Sequence, residues 1–132
     1  MSEATDPAQI RRLMLDNIFV VFSERDRERR MKAITKNYTE DVTWSDPAGT
    51  TQGREAMNEQ GQKLLDGLPN FVFSAAGPVY VAGNPGLLPY HLGLPGQPPA
   101  FSGIDVGLVR DGQIAQLYTM LTAENRPSSS EE

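Results

Sequence analysis

From Gly67 to Ile104 the chain runs for 38 residues without an Asp, Glu, Lys or Arg, in a protein whose residues are 22% charged. Glycine and proline crowd into the same region, with residues 77 to 103 holding twelve of the 22 in the chain. The stretch is either a linker or a set of short strands joined by tight turns, and its internal pattern favours strands. Candidate strands cover residues 71–76, 78–82, 87–93, 100–109 and 114–121. The turn sequences Gly83-Asn84-Pro85-Gly86 and Arg110-Asp111-Gly112-Gln113 are hairpin signals, and residues 94–99 form a longer, proline-stiffened loop. Consecutive hairpins imply an antiparallel meander.

The first half reads as helices. Asp6 before Pro7 offers an N-cap, and Ile10, Leu13, Met14, Ile18, Val21 and Phe22 recur at helical spacing, which predicts a helix over about 7–23. A second helix spans about 26–37. The period then changes at Val42-Thr43-Trp44-Ser45-Asp46, where alternation places Val42, Trp44 and Asp46 on one face of a short strand ended by Pro47-Ala48-Gly49. A third helix opens at Gly53-Arg54-Glu55 and closes at Gly67. Helices first and a bent antiparallel sheet afterwards predict an α+β fold, in which the sheet wraps over about three helices and encloses a pocket. At 132 residues one domain over 1–125 is expected, with a disordered tail at 126–132.

Composition narrows the chemistry. The absence of cysteine excludes disulfides, thiolate metal sites and a cysteine nucleophile. A net charge of −5 argues against a nucleic-acid surface, and the run from Glu24 to Arg30 interleaves acids with its arginines as a solvated helix entry or surface loop would. No apolar run reaches membrane-spanning length, so a cytoplasmic protein is the expectation. A phosphate loop, a dinucleotide fingerprint and a nucleophile elbow are all missing, and one histidine is a poor basis for a metal site.

Two aspartates stand out. Asp105 ends the uncharged run inside a strand that places Phe101, Gly103, Asp105, Gly107 and Val109 on one face. The flanking glycines would leave room for a ligand beside the carboxyl group. In an apolar cavity desolvation would keep this acid protonated and ready to stabilise an oxyanion; on a solvated face it would be an ordinary surface residue. Asp46 is either a turn starter before Pro47 or a general base sheltered by Trp44. His91 is either a hydrogen-bonded imidazole or a further proton donor. Tyr38 and Tyr118 could present hydroxyls to a ligand, with Trp44, Phe71, Phe101 and Leu117 as apolar walls.

The stretch from about Asn37 to Leu121 resembles the SnoaL-like proteins of the nuclear-transport-factor-2-like superfamily, which includes ketosteroid isomerase. The match lies in Tyr38-Thr39-Glu40-Asp41-Val42-Thr43-Trp44-Ser45-Asp46-Pro47-Ala48-Gly49 followed by Gly53-Arg54-Glu55-Ala56. It continues in the loop leading to Gly103-Ile104-Asp105, and in Val109-Arg110-Asp111-Gly112-Gln113-Ile114 with Leu117-Tyr118. The resemblance implies a cone-shaped fold, a homodimer, Asp46 as the base and Asp105 as the protonated oxyanion donor. Ile18 stands where ketosteroid isomerase has a first-helix Tyr, and no arginine accompanies Asp105 as in the epoxide-hydrolase branch, so neither of those activities is implied. The expected function is cofactor-free, metal-free isomerase or cyclase chemistry on a small apolar, cyclic or polyketide-like molecule, with catalytic Asp46, Asp105 and His91. The alternative is a non-catalytic ligand-binding or dimerisation module.

Overall fold

The computed structural model describes residues 6–124, so the expected disordered tail lies outside the described residues. Helix α1 (Pro7–Asp16) begins where Asp6 accepts from Ala8 N at 3.2 Å and Pro7 presets the first turn. It runs on into a π-helical segment, Asn17–Val21, in which Phe22 N donates to Asn17 O at 3.1 Å. The helix expected over 7–23 is thus one run that loosens after Asp16. Helix α2 (Arg27–Asn37) is capped by Asp26, which accepts from Arg29 N at 2.8 Å.

Strand β1 (Tyr38–Asp46) follows without a break and begins earlier than the alternation at Val42 indicates. It turns at Pro47-Ala48 into β2 (Gly49–Gln52), so Pro47-Ala48-Gly49 does not end the strand as expected but folds it into a hairpin with a second, polar strand. Helix α3 (Arg54–Asp66) comes next, then β3 (Val72–Ala75), β4 (Tyr80–Val81), β5 (Pro85–Gly93), β6 (Phe101–Arg110) and β7 (Gln113–Glu124). At the β6–β7 hairpin Asp111 and Gly112 take φ of 55° and 81°, the paired left-handed conformation that an Asp-Gly turn supplies.

The seven strands form one curved, unclosed sheet in the order β2-β1-β7-β6-β5-β3, with β4 also on β5. The antiparallel meander holds for β5, β6 and β7 and fails in two places. Strands β3 and β4 each pair with β5 and not with each other, and β1 lies parallel to β7, so the sheet is mixed. Such parallel pairing needs a long return path, and half of the chain lies between those two strands. Register shifts at Ser102/Gly103 and Leu108/Val109 mark bulges, which bend the β6–β7 pair.

The three helices cover the concave face in an α+β arrangement. Ile10, Leu13 and Met14 of α1 pack into one core with Leu88, Val109, Ile114 and Leu117 of the sheet. The helix comes this close because Gly86 and Gly107 face each other across β5 and β6. A Cβ at Gly86 would stand 2.7 Å from Ile10 Cγ2, and one at Gly107 2.7 Å from Met14 Sδ.

The charged run from Glu24 to Arg30 is only partly solvated. Arg30 is fully buried and donates to Asn58 Oδ1 (2.6 Å), Gln62 Oε1 (2.6 Å) and Glu24 O (2.7 Å), which ties α2 to α3. Arg25 caps the end of α3 by donating to the carbonyls of Leu65, Leu68 and Phe71. Both arginines serve backbone and amide oxygens, partners that a charge pattern does not display. No helix among the described residues is long and apolar enough to cross a membrane.

Candidate functional site

Alternation along the sheet decides which side chains face the helices. Leu88, Tyr90 and Leu92 of β5 are buried, as are Gly103, Asp105 and Gly107 of β6. On β7 Leu117 is buried and Thr119 half-buried, while Tyr118 and Met120 are exposed. Between this face, the π-helical segment and α3 lies a cavity of about 390 Å³. Its apolar walls include Ile18, Phe22, Trp44, Leu64, Leu92 and Phe101, and its polar lining includes Asp46, Tyr90, Asp105, Thr119, Gln60 and Lys63. Asp46 and Asp105, from opposite halves of the sequence, therefore border one space.

Asp105 is 4% exposed. Its Oδ2 accepts from Asn17 Nδ2 at 2.7 Å, whereas Oδ1 is buried with no hydrogen-bond partner among the described residues. Burial pushes its pKa up to about 7, against the opposing pull of the Thr119 and Asn17 side chains. The surface alternative for this residue is thereby excluded. Asp46 stands at the end of β1, where its Oδ1 accepts from Ala48 N (2.9 Å) and Gly49 N (3.1 Å). It starts the turn and lines the cavity at once. Trp44 donates from Nε1 to Thr119 Oγ1 at 3.0 Å and packs tilted on Phe22 with ring centroids 4.9 Å apart, which fixes one wall.

The space expected beside Asp105 is not left by its flanking glycines. Met14 fills the room at Gly107, and at Gly103 an added Cβ would collide with the Tyr90 hydroxyl and Met120 O. Gly103 thus seats Tyr90, whose hydroxyl makes no hydrogen bond to the described residues. Burial raises the Tyr90 phenol pKa above its ordinary value, and the charges of Asp105 and Asp46 add to the effect. The phenol remains a proton donor beside both carboxyl groups.

Trp44, Asp46, Phe101 and Asp105 of the expected site residues line the cavity; the others do not. His91 points to the opposite face of β5, with Nδ1 2.9 Å from Ser102 Oγ. Tyr118 also lies on that outer face. Leu117 is packed in the core, and Phe71 lies behind the wall against Phe101 at a centroid distance of 6.3 Å. Tyr38 is wholly buried, and its hydroxyl donates to Asn17 Oδ1. Asn17, Tyr90 and Thr119 were missed. Asn17 occupies an inward position of the α1 stripe, between Met14 and Ile18, and a polar residue there is a readable signal. Tyr90 shares its parity with Leu88 and Leu92, which points it inward and His91 outward. Among the described residues no group of three or more His, Asp or Glu side chains could hold a metal.

No curated protein matches the chain by sequence. Among solved structures, a presumed isomerase of the SnoaL-like family from Agrobacterium tumefaciens superposes with a TM-score of 0.81 at 20% identity, over 88% of this chain and 99% of that one. A presumed ketosteroid isomerase from Kribbella flavida gives 0.69 at 19% identity over 97% and 88%. A presumed SnoaL-like polyketide cyclase from Jannaschia gives 0.73 at 15% identity over 91% of each chain. At such identities the likeness is one of fold. The sequence itself fits the family model of the SnoaL-like domain over residues 6–117, and the chain belongs to that family.

Proposed function

We propose that this protein is a cofactor-free acid–base isomerase or cyclase acting on a small apolar, cyclic or polyketide-like ketone. The observation that carries the reading is that Asp46 and the buried Asp105 border one largely apolar cavity. Asp46, as a carboxylate, takes a proton from the carbon beside the ketone. Asp105, as a neutral acid, donates a hydrogen bond to the carbonyl oxygen as negative charge gathers there, and the free Tyr90 hydroxyl is placed to give a second. Return of the proton to another carbon completes an isomerisation, while attack of the enolate on a second carbonyl closes a ring. Neither route needs an oxidant or reductant. The presumed isomerase and cyclase assignments of the structural neighbours support this class of reaction.

Deuterium exchange at the α-carbon of a panel of cyclic ketones in heavy water tests the base. Asp46→Asn is expected to slow exchange by about 100-fold or more. Exchange at the parental rate would overturn the reading. The two backbone hydrogen bonds to Asp46 Oδ1 favour a second reading, a non-catalytic binding module in which Asp46 only shapes the turn. A homodimer through the outer sheet face, where Tyr118 and Met120 are 37% and 48% exposed, belongs to the same proposal. Light scattering at micromolar concentration should give twice the mass of the chain, and a monomeric mass refutes it.

A further inference from the structure

A carboxylic acid donates from one oxygen only, so a neutral Asp105 serves a ligand only when its proton sits on the correct one. We propose that Tyr38 and Asn17 form a buried positioning relay that holds the Asp105 proton on Oδ1, the oxygen without a protein partner. The use of that proton rests on the proposed function, but the relay itself can be tested without a substrate.

Three side chains stand in line. Tyr38 and Asn17 are fully buried and Asp105 nearly so. The Tyr38 hydroxyl donates to Asn17 Oδ1, and Asn17 Nδ2 donates to Asp105 Oδ2 at 2.7 Å. Burial pushes the Tyr38 phenol well above its ordinary pKa, so it always carries a proton to give. The two ends of an amide are not equivalent, because its oxygen only accepts and its nitrogen only donates. With its oxygen engaged by Tyr38, Asn17 must turn its nitrogen toward Asp105. An NH₂ group cannot accept, so the Asp105 oxygen facing it carries no proton, and the acid's proton is left on Oδ1.

The fold supports this line from both ends. Asn17 opens the π-helical segment, a distortion often found at functional sites, and Tyr38 opens β1. Behind them Asn37 Nδ2 donates to Leu13 O at 3.1 Å, which joins the end of α2 to α1. The other titratable or charged groups around Asp105 are Asp46 from β1, Lys63 from α3 and Tyr90 from β5, all of which line the same cavity. Asp16 acts on Tyr38 through its charge. None of these four donates a hydrogen bond to Asp105; the Thr119 side chain, which accepts from Trp44 Nε1, also draws the Asp105 pKa down and is left in place in both relay variants.

Tyr38→Phe removes the hydroxyl and leaves the ring. The Asn17 amide can then turn its oxygen toward Asp105 and draw the proton onto Oδ2. That change removes a donor from the carboxylate and gives the neutral acid an acceptor, so both effects raise the Asp105 midpoint. Asn17→Leu removes the donor outright and should act in the same direction. In the intact protein labelled with ¹³C at aspartate Cγ, the Asp105 resonance, identified by its loss in Asp105→Asn, should titrate near pH 7. It should titrate about one unit higher in each relay variant.

Infrared difference spectra against Asp105→Asn at about pH 5 locate the proton. The parental acid should show a carbonyl stretch lowered by the Asn17 hydrogen bond, and Tyr38→Phe should move that band to higher frequency. A purely structural Tyr38 would lower the melting temperature and leave both midpoint and band in place, and that result overturns the relay. Spectra of the parent and of Tyr38→Phe are decisive even if Asn17→Leu does not fold. Should Asp46→Asn leave ketone exchange unchanged while Tyr38→Phe shifts Asp105, catalysis fails and the relay stands. The opposite pattern removes the relay alone.

Discussion

Asp105→Asn separates the cost of burying this acid from everything else that titrates in the protein. The amide has the shape of the neutral acid. Its oxygen can accept from Asn17 Nδ2, and its nitrogen takes the place of the Oδ1 hydroxyl. In the parent the pKa rises from 3.8 to about 7 on folding, chiefly by desolvation. Below about pH 4 both folded and unfolded chains hold the proton, and nothing is lost. Between about pH 4 and 7 the unfolded chain releases it while the folded chain keeps it, so the native state binds more protons and stability falls as pH rises. Above about 7 both are ionised and the loss is complete. A shift of about 3 units at 1.36 kcal/mol each amounts to roughly 4 kcal/mol. That is a large share of the 5–15 kcal/mol that holds a typical domain together. Urea unfolding of parent and variant at a series of pH values from about 4 to 8.5 measures it. The variant should gain on the parent by up to roughly 4 kcal/mol across that range, with a plateau above about pH 7.5. A difference that stays flat within about 0.5 kcal/mol would refute the reasoning, because it would mean that Asp105 does not change its proton affinity on folding.

Arg30→Lys tests the clasp between α2 and α3. A single ammonium cannot span the Asn58, Gln62 and Glu24 oxygens that the guanidinium reaches, and leaving the buried Asn58 oxygen unpaired alone costs about 1–3 kcal/mol. A loss of roughly 2 kcal/mol or more is expected in urea unfolding, and a loss below about 0.5 kcal/mol counts against the clasp. Gly103→Ala should cost about 1–3 kcal/mol, since its new methyl meets Met120 O of the neighbouring strand as well as the Tyr90 hydroxyl. Backbone cannot swing aside as a flexible side chain can. An unchanged melting temperature would mean that the β6–β7 pair is looser than the register indicates.

The helices and the β5–β6–β7 hairpins were legible because each rests on local chemistry: an N-cap, a periodic stripe, an Asp-Gly turn. The alternation along β6 sorts its residues into two faces without saying which is covered. The parallel β1–β7 pair was not legible, because nothing within either strand encodes a partner half the chain away. For the site, parity decided more than residue type. His91 drew notice as the only histidine, yet its neighbour Tyr90 lies on the inner face with Leu88 and Leu92. The glycines beside Asp105 suggest room for a ligand, because a sequence shows a missing side chain and not the Met14 or Tyr90 that moves into its place. The 38-residue uncharged run has its own bearing on the chemistry. A lysine or arginine on the inner face of β3 or β5 would pair with Asp105 and hold it ionised. With none there, the nearest basic group on the cavity wall is Lys63 on α3. The same absence of charge that marks the stretch in the sequence thus leaves desolvation as the dominant influence on Asp105 and holds it protonated below about pH 7.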